Sequence, residues 1–310
     1  MIFWRIVDNK LYQVDEVKKL GFEKSEGLVI PDEYLKSQQF TILRTVHGIG
    51  DWGIISAMPR LLKEKYPDCK VYVPSEKLLM LKQAVILAGG KGTRLKRLTT
   101  NIPKPMLLID GHPFITYLTH NLQQHGIKKI LISAGYKADC IESFFSNQVL
   151  EGMEINCLAE TKPLGTGGAL KFASPFLDSE FLVLNGDTLF DINFIELHDL
   201  LLESADSIVS IALRHTYDKS RYGQVVRDGE YVISFSEKEN KKPSTGGLIN
   251  GGIYSMSSKV LNHIPTGYSS LEDDVFPALA KKRILLGKIF SGYFIDIGVP
   301  DDFKRLQIEL

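Results

Sequence analysis

From Gln83 onward one pattern recurs: a short apolar run, a turn, a helical stretch, then another apolar run. Ala84–Ala88, Lys129–Ala134, Glu154–Leu158, Phe181–Asn185 and Ser207–Leu213 read as strands. Pro113–His125, Ala138–Gln148, Gly168–Ser174 and Phe194–Glu203 read as helices lying between several of them. Strands alternating with helices predict an α/β fold, with a Rossmann-like, mostly parallel central sheet covered on both faces. Ligands of such sheets sit beyond the carboxyl ends of the strands. After about residue 214 the pattern turns hairpin-like, at Gly223–Val226, Tyr231–Ser236 and Leu248–Ser255.

The first eighty residues follow another plan. Ile2–Val14 reads as a hairpin turning at Asp8-Asn9-Lys10. Phe40–Val46 reads as a strand, His47–Gly53 as a glycine loop, Ile54–Tyr66 as a helix interrupted by Pro59, and Lys70–Pro74 as a second strand. That is one β-α-β unit. With Lys77–Lys82 as junction, the chain of 310 residues is expected to divide into a small segment, 1–80, and a main domain, 83–310.

Lys plus Arg and Asp plus Glu both number 37, so any attraction for phosphate must be local, which argues against a nucleic-acid binder. Cys69, Cys140 and Cys157 form no metal-binding spacing and read as unpaired thiols of a reducing cytoplasm. The N-terminus does not read as a signal peptide, and no apolar run approaches the roughly 20 residues of a membrane span, so no membrane insertion is expected.

The first strand of the main domain runs into Leu87-Ala-Gly-Gly-Lys-Gly-Thr-Arg94, and Lys104 follows inside Pro-Lys-Pro. Glycines let backbone N–H groups approach phosphate oxygens. Arg94 and Lys104 can neutralise charge that backbone dipoles cannot. The loop matches neither the P-loop nor the dinucleotide fingerprint, and alone it is equally a plain tight turn. Asp187 ends one apolar run and Asp296 ends another. Each could cap a strand or sit on the surface. Beside a triphosphate loop the pair points to Mg²⁺, which prefers one or two carboxylates plus phosphate oxygens and water.

Taken in order, eight segments carry a resemblance: Leu87–Leu95; Pro103-Lys-Pro-Met; Pro163-Leu-Gly-Thr-Gly-Gly-Ala; Leu184-Asn-Gly-Asp-Thr; Arg221-Tyr-Gly-Gln-Val; Glu237-Lys; Asn250-Gly-Gly-Ile-Tyr; and Phe294-Ile-Asp-Ile-Gly-Val-Pro. The chain from Gln83 to Leu310 resembles the sugar-1-phosphate nucleotidylyltransferases. The resemblance implies the nucleotide-diphospho-sugar transferase type of sheet. It also implies a reaction: an NTP and a sugar 1-phosphate give an NDP-sugar and pyrophosphate, without a protein nucleophile. On the matching positions, Arg94 and Lys104 would clamp the triphosphate, and Asp187 and Asp296 would hold Mg²⁺. Leu87, Ala88, Gly89, Gly90, Gly92 and Thr93 would cradle base and phosphates, with Pro163, Gly165 and Thr166 lining the base pocket. Gly223, Glu237, Asn250 and Gly251 would hold the sugar, and Lys238 its phosphate. Many relatives place proline directly after the Glu-Lys pair; here charged residues run on to Pro243.

The wording of several segments looks most like D-glycero-α-D-manno-heptose 1-phosphate guanylyltransferases, implying GTP and a heptose 1-phosphate, with GDP-heptose destined for lipopolysaccharide, capsule or S-layer glycan. Mannose 1-phosphate with GTP, glucose 1-phosphate with UTP or dTTP, and N-acetylmuramate 1-phosphate with UTP are the alternatives. A regulatory subunit that binds without catalysis is the alternative of another class; retention of Arg94, Lys104, Asp187 and Asp296 argues against it. Homo-oligomers are common in the family. Thr41–Gly53 resembles the opening unit of heptosyltransferase-type glycosyltransferases, but eighty residues cannot hold that fold, so Asp51 and His47 are expected to be loop residues of a remnant or tether. His112, His120 and His125 are expected to be surface or partly packed side chains.

Overall fold

The computed structural model describes residues 81–90, 92, 95, 98–146, 152–216, 224–236 and 246–309, with four short strands before them. The chain divides into two compact units, Met1–Leu79 and Met80–Leu310. In the first, β1 (Phe3–Val7) and β2 (Lys10–Val14) form an antiparallel hairpin, and β3 (Phe40–Thr41) pairs in parallel with β4 (Val71–Tyr72). The expected helix 54–66 and the loop holding His47 and Asp51 lie outside the described residues.

The second unit is built on a nine-stranded sheet. Four strands are parallel neighbours: β9 (Glu154–Ala159), β8 (Lys129–Ala134), β5 (Gln83–Ala88) and β10 (Glu180–Asn185). The hairpin-like half adds antiparallel pairings among β13 (Gln224–Asp228), β14 (Tyr231–Ser236) and β15 (Gly247–Ser257), and β15 also pairs antiparallel with β10. The strand expected over Ser207–Leu213 is β12 (Val209–Thr216), which pairs antiparallel with β15 and parallel with β16 (Leu285–Ile289), and β16 in turn pairs antiparallel with β14. Two small ribbons complete the strands: β6 (Leu108–Ile109) with β7 (His112–Pro113), and β11 (Thr188–Phe190) with β17 (Phe294–Asp296).

Alternate residues of the parallel strands feed two separate cores, as the period-two pleat requires. Ile86, Ile130, Ile132, Leu182 and Leu184 face one layer. It holds α1 (Phe114–Gln124), α2 (Ala138–Ser146), α4 (Phe194–Glu203) and α6 (Pro300–Glu309). Val85, Leu131, Phe181 and Val183 face the other, which holds α3 (Gly165–Phe172) and α5 (Phe276–Lys281). Residues Ala84 to Ile86 are wholly inaccessible, which explains their unbroken apolar run.

Helix α3 begins three residues before the expected Gly168, because its glycines disfavour a helix by propensity but gain a tertiary cap described below. His125 and His198 are buried, and His125 stacks against Phe194 at 4.6 Å between ring centroids, so His125 is a core residue. No helix of the described residues is long and apolar enough to cross a membrane.

Candidate active site

The carboxyl ends of β5, β8, β9 and β10 open into one cavity of about 580 Å³. In spatial order β9-β8-β5-β10 the chain first builds outward from β5 on one side and then returns to its other side. Such a switch leaves a crevice between the first strand and the returning one. The crevice is held shut at its base by Gly186 N–H donating to Leu87 O at 2.9 Å. Leu87, Ala88, Gly89 and Gly90 form one wall, Pro163, Gly165 and Thr166 another, and Asn185, Asp187 and Lys104 the floor. Gly92 closes the turn beyond that wall: its carbonyl accepts from Leu95 N–H and Thr99 Oγ1, each at 3.0 Å. Thr93, Arg94, Gly223, Glu237 and Lys238 lie outside the described residues.

Charge converges at one point on the floor. Lys104 Nζ lies 2.5 Å from Asp187 Oδ2. Asp296 is brought there by the β11–β17 ribbon, which pairs it with Thr188, the neighbour of Asp187. Gly298 N–H donates to Asp296 Oδ1 at 2.7 Å. A Cβ on Gly298 would stand 2.7 Å from Asp296 Oδ1, 2.8 Å from Lys104 Nζ and 3.3 Å from Asp187 Oδ2. Two carboxylates and one ammonium thus share a space that only glycine leaves open. The two carboxylates suit a divalent ion such as magnesium, which takes one or two carboxylates and completes its shell with phosphate and water; the Lys104 ammonium is no ligand and pairs with Asp187.

Glu160 stands at the carboxyl end of β9, facing Gly89 across the cavity wall; a Cβ on Gly89 would lie 2.7 Å from Glu160 Oε1. Ser133 Oγ donates to Oε1 and Leu164 N–H to Oε2, each at 3.2 Å. Burial pushes its carboxyl pKa up, and those two hydrogen bonds pull the other way. Each carboxylate oxygen keeps a further lone pair for a ligand.

The glycines of the 163–168 segment answer to a backbone, not to a phosphate. Gly165 has φ 73° and sits against Ser269 O, which a Cβ would approach to 2.4 Å. Ser269 O accepts from Gly167 N–H at 2.9 Å and Gly168 N–H at 3.2 Å, and Ser269 N–H donates to Leu164 O at 2.9 Å. Amides at the start of α3 are therefore already satisfied by this segment. Tyr268, 73% exposed, stands beside Gly165 at the cavity mouth.

Asn250 and Gly251 lie on β15. Gly251 is buried, and its missing side chain is filled by the Phe190 ring, 2.6 Å from where a Cβ would stand, so it can meet a ligand only through its backbone. Sequence reasoning passed over Glu160 and Gly298. Glu160 carried the same signal as Asp187, a carboxylate ending an apolar strand, in Asn156-Cys-Leu-Ala-Glu.

The model of a family described as nucleotidyl transferase matches residues 83–310. The chain is 40% identical over 227 residues to a D-glycero-α-D-manno-heptose 1-phosphate guanylyltransferase of Campylobacter jejuni, covering 73% of this chain and 99% of that one. It is 35% identical over 232 residues to a mannose-1-phosphate guanylyltransferase of Mycobacterium tuberculosis, covering 73% of this chain and 64% of that one. The crystal structure of HddC from Yersinia pseudotuberculosis complexed with GMP-PN is similar with a TM-score of 0.64 at 35% identity, over 74% of this chain and 99% of that one.

Proposed function

The chain belongs to the nucleotidyl transferase family, and from that membership we propose that residues 83–310 transfer a guanylyl group from GTP to D-glycero-α-D-manno-heptose 1-phosphate, giving GDP-heptose and pyrophosphate for a surface glycan. Similarity over nearly the full length of a heptose 1-phosphate guanylyltransferase supports the sugar. The mannose-1-phosphate guanylyltransferase similarity favours mannose as the second reading.

Glu160 carries the choice of base. An ionised carboxylate offers acceptors only. Guanine presents two adjacent donors, N1–H and the exocyclic amino group, which match the two oxygens of one carboxylate. Uracil and thymine present a single N–H between two carbonyls, and adenine and cytosine set an amino group beside an acceptor nitrogen. Each of these would leave an oxygen facing an oxygen or a nitrogen lone pair. A site built on polar pairing rejects a base that leaves a buried group unpaired.

The reaction forms one P–O bond and breaks one. An oxygen of the sugar's phosphate attacks the α-phosphorus of GTP, and pyrophosphate leaves with the electron pair of the broken bond. No protein atom becomes bonded to the nucleotide, so the chain contributes position and charge. Lys104, and Arg94 from the glycine loop, neutralise the triphosphate and the departing pyrophosphate. Leu87 to Gly92 and Thr93 hold the nucleotide against the first strand, with Pro163, Gly165 and Thr166 opposite. Asn250, the backbone of Gly251, Gly223 and Glu237 hold the sugar, and Lys238 its phosphate. Members of this family work with a divalent metal ion; magnesium held by Asp187 and Asp296 would supply further positive charge at the phosphates. Residues 1–80 are an appended segment that takes no part in this chemistry.

A panel of NTPs and sugar 1-phosphates, read as pyrophosphate release with and without chelator, tests the proposal. GTP with the heptose 1-phosphate is expected to give metal-dependent release, and a preference for UTP or dTTP would overturn the base assignment.

A further inference from the structure

Strand β15 breaks its register beside the active site. Its pairing with β12 steps from Ile211↔Tyr254 to Leu213↔Asn250, so four residues on one strand oppose two on the other. Gly252, at φ 73°, supplies the left-handed residue within the bulge. In a regular strand residues four apart are separated by about 13 Å. Here Asn250 Nδ2 donates to the Tyr254 hydroxyl at 2.8 Å, while Gly252 N–H donates to Asn250 Oδ1 at 2.9 Å.

That hydroxyl is fully buried, and other groups reach it. It donates to Glu272 Oε1 at 3.2 Å. The opposite oxygen, Glu272 Oε2, accepts from Thr166 Oγ1 at 2.7 Å and from Ser270 Oγ at 3.2 Å. Thr166 lines the cavity and its oxygen accepts from Leu271 N–H at 2.8 Å, which locks it to the same short π-helical turn, Leu271–Val275. Asn185, two residues before Asp187, lies against the same bulge: a Cβ on Gly252 would stand 3.1 Å from its Nδ2. Proton counting then fixes the Asn250 orientation. The single hydroxyl proton goes to a carboxylate that can only accept, so the Asn250 amide must offer N–H to the phenol. Asn185 lines the cavity, and its Oδ1 has no hydrogen bond among the described residues. Burial and the Glu272 charge push the Tyr254 pKa well up, so the donor persists over the whole working pH range.

We propose that Tyr254, fixed by Glu272, is a positioning residue that sets the sugar side of the site in register with the nucleotide side. Two elements meet at the Tyr254–Glu272 pair: Asn250, from the sugar side, bonds the hydroxyl, and Thr166, from the base wall, bonds the carboxylate. The proposal rests on the two-substrate reading above. Losing the hydroxyl releases the Asn250 amide and leaves the Glu272 carboxylate without one of its donors, while Glu160 and the cavity walls stay in place.

The test is Tyr254→Phe, which keeps the ring against Phe276 (5.0 Å between centroids) and removes only the hydroxyl. The kcat/KM for the sugar 1-phosphate is expected to fall about 10²-fold, the scale of a misplacement of about 1 Å. The Kd for GTP, measured by calorimetry, is expected to stay within about twofold of wild type. Glu272→Ala, which also frees Thr166, should lower sugar-phosphate kcat/KM by more than it lowers GTP affinity, and Glu272→Gln, whose amide oxygen still accepts from Tyr254 and whose amide can donate to Thr166, should recover most of the activity. These two variants decide the matter if Tyr254→Phe does not fold. Unchanged sugar-phosphate kinetics, or an equal loss of GTP affinity, would overturn the positioning role while leaving guanylyl transfer standing. A wild type with no turnover on any substrate pair would overturn both.

Discussion

Glu160 sits half-buried between a hydroxyl, a backbone amide and the cavity it lines, and its charge has two effects. In the proposed reaction it selects guanine, and it weakens the fold, because a desolvated carboxylate is penalised when ionised. Its folded pKa is raised, so the native state holds the proton more tightly than the unfolded chain. Its contribution to stability is therefore full below the unfolded pKa and is lost as pH rises through the folded one. Glu160→Gln is expected to keep or raise Tm at neutral pH while shifting selectivity toward UTP and dTTP, since a glutamine offers one donor and one acceptor. Thermal unfolding and competing-substrate kinetics check this; an intact GTP preference would contradict it. In the wild type, GTP affinity should decline on acidification above the ordinary carboxylate range, and calorimetry across pH should show that limb vanish in the glutamine variant. Asp187→Asn should cost roughly 10²- to 10³-fold in kcat, the scale for removing one charge-stabilising group, with an unchanged circular dichroism spectrum. Gly298→Ala would push a methyl group among Asp296, Asp187 and Lys104. Flexible side chains can give way there, so the variant should fold but need more magnesium for half-maximal rate in a metal titration.

At the scale of elements, the start of α3 shows what the sequence could and could not reveal. The Pro163–Ala169 segment was legible as part of the site, but the reason for its glycines was not. They exist because Gly267–Ser269, a hundred residues on in sequence, lies against them, and a Cβ on Gly168 would meet Gly267 O at 2.2 Å. Gly168→Ala should destabilise the fold by about 1–3 kcal/mol through overpacking against backbone, read as a lowered Tm or denaturant midpoint. Strands β5 and β10 were legible because both their faces are buried and their apolar runs are unbroken. Glu160 ends the edge strand β9, whose run is shorter and exposed on one face, and only the strand order β9-β8-β5-β10 places it at the crevice. The Tyr254 hydroxyl was out of reach for another reason: its partners Asn250 and Glu272 meet only through a bulge and long-range pairing, and periodicity carries neither.

On the scale of the whole molecule, a relative's nearly complete length corresponds to about three quarters of this chain, and the family match begins at residue 83. All the proposed chemistry lies in that part. A protein starting at Met80 is expected to fold and to match the full chain in kcat/KM within about twofold, with steady-state kinetics as the check. The most direct measurement of the central claim follows label through the reaction. GTP is supplied with heptose 1-phosphate whose phosphate oxygens carry ¹⁸O, and the products are weighed by mass spectrometry. Attack by the sugar's phosphate on the α-phosphorus predicts GDP-heptose that retains all the label and pyrophosphate that carries none. Labelled pyrophosphate, or no nucleotide sugar from any NTP and sugar 1-phosphate pair, would contradict it.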